Sequence, residues 1–266
     1  MSPPVIISAS RRTDIPAFFP EWFSSCLAAG SAEYRNPYSG RPAAVSLRKD
    51  DVAAFVFWTR NPLPFLPAID RLEREGYRSV FQFTLTGYPR ELEPSVPRFE
   101  EAVVAFRRLT ERVGPSRVLW RFDPLLPGEP PEALAARFDR VSAALCGLTA
   151  RCTLSIAHPY RKSLRATKGC REIWEPSERF HESVTRAAET GRARGFDVRS
   201  CCTPLLRDWG IRPAACVDGD YLRGLWPGED ISVFPSPVRP GCLCSVSRDI
   251  GSYRTCRHGC VYCYAA

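Results

Sequence analysis

Short runs of β-branched, aromatic and other apolar residues recur along the chain, each followed by polar residues and then by a segment with helical spacing. Such near-continuous apolar runs are typical of parallel strands covered on both faces. The predicted strands are Val5–Ser10, Ala53–Thr59, Ser79–Thr86, Arg117–Asp123, Cys152–His158 and Phe196–Cys201. One further run, Ala43–Arg48, predicts an edge strand or one arm of a hairpin.

Between these runs, apolar residues return at helical spacing at 18–30, 98–114, 131–147 and 177–195. The alternation predicts an α/β fold, a partial or complete (β/α) TIM-like barrel. From about Asp208 the periodicity weakens, and Pro and Gly become frequent. We therefore predict a barrel domain at 1–207 and an irregular, cysteine-rich C-terminal cap at 208–266, packed on the barrel mouth.

Polar side chains follow five of the predicted strands, at the ends where a barrel builds its active site. They lie in Ser10–Asp14, Trp58–Asn61, Thr84–Thr86, Trp120–Asp123 and Ser155–His158. This repetition predicts one convergent site rather than five unrelated loop starts.

The net charge of +8 permits a nucleic acid or another anionic partner without requiring one. No stretch approaches the roughly 20 apolar residues of a membrane span, and the first residues lack the charged region of a signal peptide. These features predict a cytoplasmic protein that does not engage a membrane.

Eight of the twelve cysteines lie in the last 66 residues, which argues for metal ligands rather than a disulfide framework in a reducing compartment. Cys256, Cys260 and Cys263 form a C-x3-C-x2-C motif. Zinc sites usually pair two knuckles to give four ligands, whereas a [4Fe-4S] cube held by three thiolates keeps one open iron. The spacing favours the cube, with zinc as the alternative.

Cys216, Cys242 and Cys244, with either Cys201 or Cys202, could close a second site that holds an auxiliary [4Fe-4S] cluster or zinc. Neighbouring strand residues point to opposite faces, so one of Cys201 and Cys202 is expected to be a bystander. We predict Cys201 as the ligand.

The chain resembles a bacterial family, domain of unknown function 1848, over nearly its whole length. The resemblance rests on the stretches IISASRRTDIPAFFPEWF, FVFWTRNPLPF, FQFTLTGYPRELEPSVP, VLWRFDPLL and CLCSVSRDIGSYRTCRHGCVYCYA. The last stretch, with an aromatic residue (Tyr262) before the final cysteine, is similar to the cluster motif of radical S-adenosylmethionine enzymes. Most of those enzymes carry the motif near the N-terminus, after the first barrel strand.

The resemblance implies a barrel, an open-iron [4Fe-4S] cluster, S-adenosylmethionine and a reducing electron donor. The implied reaction is cleavage of S-adenosylmethionine to a 5′-deoxyadenosyl radical that abstracts hydrogen from an unknown substrate, with a small molecule favoured and nucleic acid possible. If the fold is permuted, the tail lies over the strand ends that carry Arg11, Arg12, Asp14, Trp58, Asn61, Thr84 and Asp123.

Five strand-end residues are candidate catalytic groups. Arg11 and Arg12 could pair with the carboxylate of S-adenosylmethionine or with an anionic substrate, because a guanidinium fork suits planar oxyanions. Asp14 could accept ribose hydroxyls or orient an arginine. Arg121 and Asp123 share a strand face and could line the cavity or form an internal ion pair. Structural salt bridges between loops are the alternative for all five.

Candidate cofactor-binding residues are Thr84, Asn61, Tyr262 and Asp249. Asp249 could instead cap the loop before the motif. His158 could be catalytic, but a lone histidine is more often structural.

Two further functions stay open. One is a zinc-stapled nucleic-acid-binding protein without radical chemistry, for which the sequence shows no linear basic stripe with interleaved aromatics. The other is a hydrolytic barrel with a passive metal cap, for which three histidines supply little material.

Overall fold

Eight parallel strands form one curled, half-barrel sheet in the computed structural model, which describes residues 3–35, 39–160, 164 and 174–265. The order across the sheet is β10-β1-β4-β5-β6-β7-β8-β9, and an antiparallel pair, β2 and β3, stands apart. The strands are β1 Val5–Ala9, β2 Ser31–Arg35, β3 Pro42–Ser46, β4 Val52–Thr59, β5 Ser79–Thr84, β6 Val118–Leu125, β7 Arg151–Ile156, β8 Asp197–Cys201, β9 Pro213–Ala214 and β10 Ser247–Asp249.

All six predicted core strands are present, and β3 is one arm of the antiparallel pair. The prediction missed β9 and β10, which are two and three residues long and lack an apolar run. Both come from the segment after residue 208 and form the two edges of the sheet. The division into a barrel and a cap stays a prediction, because that segment also builds part of the sheet.

Most helices cover the outer face of the sheet, whereas Leu222 of the last helix packs on the inner face. The helices are α1 Ile15–Phe18, α2 Pro20–Ala29, α3 Leu66–Arg74, α4 Phe99–Val113, α5 Pro131–Leu145, α6 Glu178–Ala193, α7 Pro204–Asp208 and α8 Gly219–Leu225, with 3-10 turns at Lys49–Asp51, Leu63–Phe65 and Pro115–Arg117. The four predicted helices are confirmed as α2, α4, α5 and α6. The prediction missed α3, which begins between Pro64 and Pro67, and the short helices α1, α7 and α8.

The two faces of the sheet are sorted by the alternation of side chains along each strand. Outward residues such as Phe57 and Phe81, whose ring centroids are 5.0 Å apart, pack with the helices in the main core. Inward residues such as Ile6 and Val56 form a second apolar cluster with Val217 from the chain after β9. The inside of the half-barrel is therefore filled at one level by apolar side chains.

None of the helices in the described ranges is long and apolar enough to cross a membrane.

Candidate functional site

A cavity of about 900 Å³ opens at the carboxyl ends of the parallel strands. Its size lies within the range usual for small-molecule sites. Residues at the ends of, or directly after, all eight strands of the sheet contribute to its wall, which is the arrangement expected for a convergent site. The strand-end residues on the wall are Ser10, Arg11, Arg12, Thr13, Asp14, Trp58, Thr59, Arg60, Thr84, Arg121, Asp123, Ser155, His158, Thr203 and Asp249.

The three cysteines of the C-x3-C-x2-C motif line the same cavity. Their loop is docked on the segment after β5 by two backbone hydrogen bonds, from Ser95 N to His258 O (3.1 Å) and from Val261 N to Leu92 O (3.0 Å). Gly259 has a φ of +70°, a left-handed conformation that glycine adopts without strain. The C-terminal tail thus lies over the strand ends.

Asp14 connects three segments at the cavity wall. Its Oδ1 accepts from Ala17 N at 3.0 Å and caps α1, while its Oδ2 accepts from Arg60 N at 2.8 Å. The same Oδ2 lies 2.8 Å from Nε2 of His258, inside the loop of the C-x3-C-x2-C motif, which we call the motif loop. Asp14 and His258 are both buried. The carboxylate therefore orients the motif loop instead of pointing freely into the cavity.

Arg60, Glu93 and Tyr262 form a buried polar group beside the motif cysteines. Arg60 Nη2 donates to the Tyr262 hydroxyl at 2.7 Å, and Nη1 lies 2.9 Å from Glu93 Oε1. The Tyr262 hydroxyl donates to Glu93, which also accepts from Thr86 at 2.6 Å. Burial raises the pKa of Tyr262 well above its ordinary value, Arg60 opposes that shift, and Glu93 adds to it. Tyr262 thus stays neutral and anchors the last turn of the motif.

Asp249 is a hub that joins β10 to the loop after β1. Its carboxylate accepts from Ser8 Oγ (2.6 Å), Ser10 Oγ (2.8 Å), Arg11 N (2.9 Å) and Gly251 N (3.0 Å). Of the two roles considered for Asp249, these contacts are those of a loop cap. A Cβ on Gly251 would lie 2.0 Å from Ser10 Oγ, so the close approach of these two loops requires glycine.

Arg11 and Arg12 both line the cavity and are held by the tail. Arg11 Nη2 donates to Ser247 Oγ at 2.9 Å, and its guanidinium lies 5.8 Å from the Trp58 ring centroid. Arg12 Nη1 donates to Gly251 O at 3.2 Å. Nη1 of Arg11 is buried and has no hydrogen-bond partner among the described residues.

Arg121 and Asp123 meet both descriptions considered for them, because they form an ion pair and also line the cavity. Asp123 accepts from Ser155 Oγ as well, and Arg121 Nη1 donates to Cys216 Sγ at 3.3 Å. Burial alone would lower the pKa of Arg121, but Asp123 and the nearby Cys216 and Cys201 thiols raise it well above its ordinary value. Arg121 is therefore a fixed positive charge inside the half-barrel.

Some of the other candidate residues line the cavity, and others form hydrogen bonds within the surrounding loops. Thr84 and an exposed His158 line the cavity, whereas Thr86 donates to Glu93. Asn61 does not reach the described wall, because its Oδ1 accepts from Leu63 N at 3.2 Å, at the start of a 3-10 turn. Arg60, one residue earlier, takes that place.

Sequence reasoning missed Arg60 and Glu93. Arg60 directly precedes a predicted candidate, so its position at a strand end was the available signal. Glu93 lies in the long loop after β5, where no periodicity marks a side chain as buried.

The late cysteines outside the motif approach the same cavity. Cys202, Cys216, Cys242 and Cys244 line it, and Cys201 is buried behind them. Among the described residues, no three side chains of His, Cys, Asp or Glu are already arranged around a common metal position. The thiols instead contact one another.

Comparisons with known proteins place the chain in one family. No curated protein matches the chain, and no solved structure does. A family described as a domain of unknown function (DUF1848) matches residues 6–265, nearly the whole chain, and the protein therefore belongs to that family.

Proposed function

We propose that the protein is a radical S-adenosylmethionine enzyme whose [4Fe-4S] cluster is held by Cys256, Cys260 and Cys263. The observation that carries the proposal is that these three thiols share one cavity with polar side chains from the ends of the parallel strands. Three thiolates leave one iron of a cube without a protein ligand. The three cysteines line a cavity large enough for a cofactor and a small substrate.

The wall of the cavity fits a ligand with a carboxylate. Nη1 of Arg11 and Oγ1 of Thr13 are buried and have no hydrogen-bond partner among the described residues. A buried donor without a partner costs about 1–3 kcal/mol, so a ligand oxygen in this position would be strongly favoured. Ser247 and Trp58 already hold the Arg11 guanidinium, which reduces the entropy lost on binding.

Cys256, Cys260 and Cys263 would hold the cluster, which would supply the electron for reductive cleavage of S-adenosylmethionine and so for hydrogen abstraction from a substrate. The residues of the chain bind, orient and shield. His258 holds the motif loop through its contact with Asp14. Tyr262 holds it through hydrogen bonds with Arg60 and Glu93. The Arg60 charge beside Cys260 and Cys263 offsets part of the negative charge of the thiolates.

Arg121, Asp123 and Ser155 provide the polar groups of the cavity on the β6 and β7 side. They are suited to orient a polar substrate, because a buried ion pair with a fixed geometry presents both a donor and an acceptor. The enclosed volume favours a small molecule over an extended polymer.

The test is an iron and sulfide count after anaerobic reconstitution of the full chain. The proposal expects about four irons and four sulfides per chain, with visible absorbance, lost in Cys260→Ala. Cys146→Ala is the control, because Cys146 is exposed and lies far along the chain from the motif. Equal iron in Cys260→Ala and the control would contradict the proposal, and zinc at the motif would favour the zinc-stapled alternative.

A further inference from the structure

Five cysteines from three separate segments meet on the side of the cavity formed by β8 and β9. Cys201 ends β8 and Cys202 follows it, Cys216 follows β9, and Cys242 and Cys244 precede β10. We call Cys201, Cys202, Cys216, Cys242 and Cys244 the cysteine ring, because each thiol contacts two others in a closed circuit.

The separations within the cysteine ring are short. Cys201 Sγ lies 2.8 Å from Cys216 Sγ and 3.8 Å from Cys202 Sγ. All of these cysteines are free thiols, and 2.8 Å is well beyond the roughly 2.05 Å of a disulfide bond. Cys216 also contacts Cys244, and Cys242 contacts both Cys202 and Cys244.

The conformation of Cys202 explains how Cys201 and Cys202 both reach the cysteine ring. The expectation that one of Cys201 and Cys202 is a bystander assumed an extended strand, in which neighbours point to opposite faces. The strand ends at Cys201, and Cys202 has a φ of +52°. This left-handed conformation is uncommon for a residue with a Cβ, and such strain concentrates at functional sites. It brings both thiols to one side.

Donors around the cysteine ring suit sulfur in its thiolate form. Arg121 Nη1 donates to Cys216 Sγ at 3.3 Å, Val217 N to Cys244 Sγ at 3.5 Å, and Cys244 N to Cys242 Sγ at 3.4 Å. Such second-layer hydrogen bonds orient ligands and offset their charge at thiolate metal sites.

We infer that the cysteine ring is a second metal site that binds one zinc ion. Cys216, Cys242 and Cys244 provide three thiolates, and the adjacent pair Cys201 and Cys202 provides the fourth. A tetrahedral ion with Zn–S bonds of about 2.3 Å separates its sulfurs by about 3.8 Å, so Cys201 Sγ and Cys216 Sγ, now 2.8 Å apart, would separate by about 1 Å on binding. A four-iron cluster needs its thiolates farther apart, because the cube itself lies between them. Binding of Zn²⁺ displaces the protons of four thiols to solvent.

The zinc ion would join the two edges of the half-barrel. Cys201 and Cys216 belong to the β8 and β9 edge, whereas Cys242 and Cys244 lead into β10 at the opposite edge. Between these edges the sheet is not closed by strand pairing in the described residues. The metal thus supplies a cross-link where backbone hydrogen bonds do not.

The experiment uses the full chain with Cys256, Cys260 and Cys263 all replaced by alanine, so that the motif holds no metal and the outcome does not depend on the proposed radical chemistry. Elemental analysis is expected to find about one zinc per chain. Titration of the folded protein with a thiol reagent should release the zinc as about four thiols react. Cys216→Ser and Cys244→Ser, each added to this background, should lose the zinc, and Cys146→Ser should keep it.

Three results would overturn the inference. Iron and sulfide in place of zinc would make the cysteine ring an auxiliary iron–sulfur site. Loss of two titratable thiols without any metal would indicate a Cys201–Cys216 disulfide instead. Zinc retained in both Cys216→Ser and Cys244→Ser would place it elsewhere. The release titration on the parent protein remains decisive if a serine variant fails to fold.

Discussion

His258, inside the motif loop, places Nε2 2.8 Å from Oδ2 of Asp14, which follows the first strand of the sheet. The two residues are 244 positions apart in the chain. Nearby, β10 pairs in parallel with β1, with Ser247 beside Ile6. The tail therefore returns to the place where the sheet begins. This geometry explains how the motif loop, which is far from β1 in the chain, lies above the mouth of the half-barrel.

Asp14→Asn is expected to weaken the contact that holds the motif loop through His258. The amide retains one acceptor oxygen but sets a donor against Arg60 N or His258, so the free energy of unfolding should fall by about 1–3 kcal/mol. Reconstituted protein should also lose iron faster to a chelator. Urea unfolding and iron release measure the two effects.

Asp70→Asn is the matched control for Asp14→Asn. Asp70 pairs with Arg112 on the exposed surface at 2.9 Å, and such pairs contribute about 0–1 kcal/mol. Equal effects of the two substitutions on iron release would show that the Asp14–His258 contact does not hold the loop.

Gly251→Ala tests the close approach of the tail to the first loop. The new methyl group would lie 2.0 Å from Ser10 Oγ and force apart the hydrogen bonds of Asp249. We expect thermal unfolding at a lower temperature, with a loss of about 1–3 kcal/mol, as for other overpacked sites. Gly224→Ala in α8 meets nothing within 4 Å and should leave stability unchanged or raise it by up to about 1 kcal/mol. If Gly251→Ala is as stable as Gly224→Ala, the close approach of the tail to the first loop is contradicted.

Arg121→Met should destabilise the protein by about 3–5 kcal/mol, because it leaves the Asp123 carboxylate without its partner inside the half-barrel. Adding Asp123→Asn to this variant should recover part of the loss, since the uncompensated charge is then removed. A double-mutant cycle by urea unfolding gives the coupling energy. Simple additivity of the two substitutions would show that the ion pair is not coupled.

An alkaline titration tests the buried tyrosines. Burial raises the pKa of Tyr262 and of Tyr88 above the ordinary tyrosine value of about 10. In the unfolded chain these phenols ionise near pH 10, so the folded state binds more protons there. The free energy of unfolding should therefore fall as pH rises above about 10. Ultraviolet absorbance should show a class of tyrosines that ionise only on unfolding, and Tyr262→Phe should reduce that class by one. An unchanged class would contradict the assignment.

Strand positions and the inward or outward direction of their side chains were predictable, because the apolar runs and the two-residue alternation are local. This is why Arg121 and Asp123 could be assigned to one face before their ion pair was seen. The two edge strands were not predictable, since their pairing depends on partners more than two hundred residues away in the case of β10. Asn61 and Asp249 show the same limit, because their residue type suggested ligand contacts. The Asn61 side chain instead accepts a local hydrogen bond from Leu63 N, and the Asp249 carboxylate accepts from Ser8, 241 positions away.

For the cysteines, position in the chain was informative, whereas the local backbone conformation could not be predicted. Their clustering late in the chain predicted metal binding, while the conformation of Cys202, which is set by the turn after β8, decided that both members of the pair face the same site.

The EPR spectrum of the anaerobically reduced protein, with and without S-adenosylmethionine, is the most direct test of the proposed binding of S-adenosylmethionine to a cluster at Cys256, Cys260 and Cys263. We expect a [4Fe-4S] signal that S-adenosylmethionine perturbs and that Cys260→Ala abolishes. In Arg11→Met, half-perturbation should need about 10–100 times more S-adenosylmethionine, as expected for a lost charge-assisted hydrogen bond, whereas the exposed Arg107→Met should match the parent protein. A cluster signal that S-adenosylmethionine leaves unchanged, or no cluster signal at all, would contradict the account.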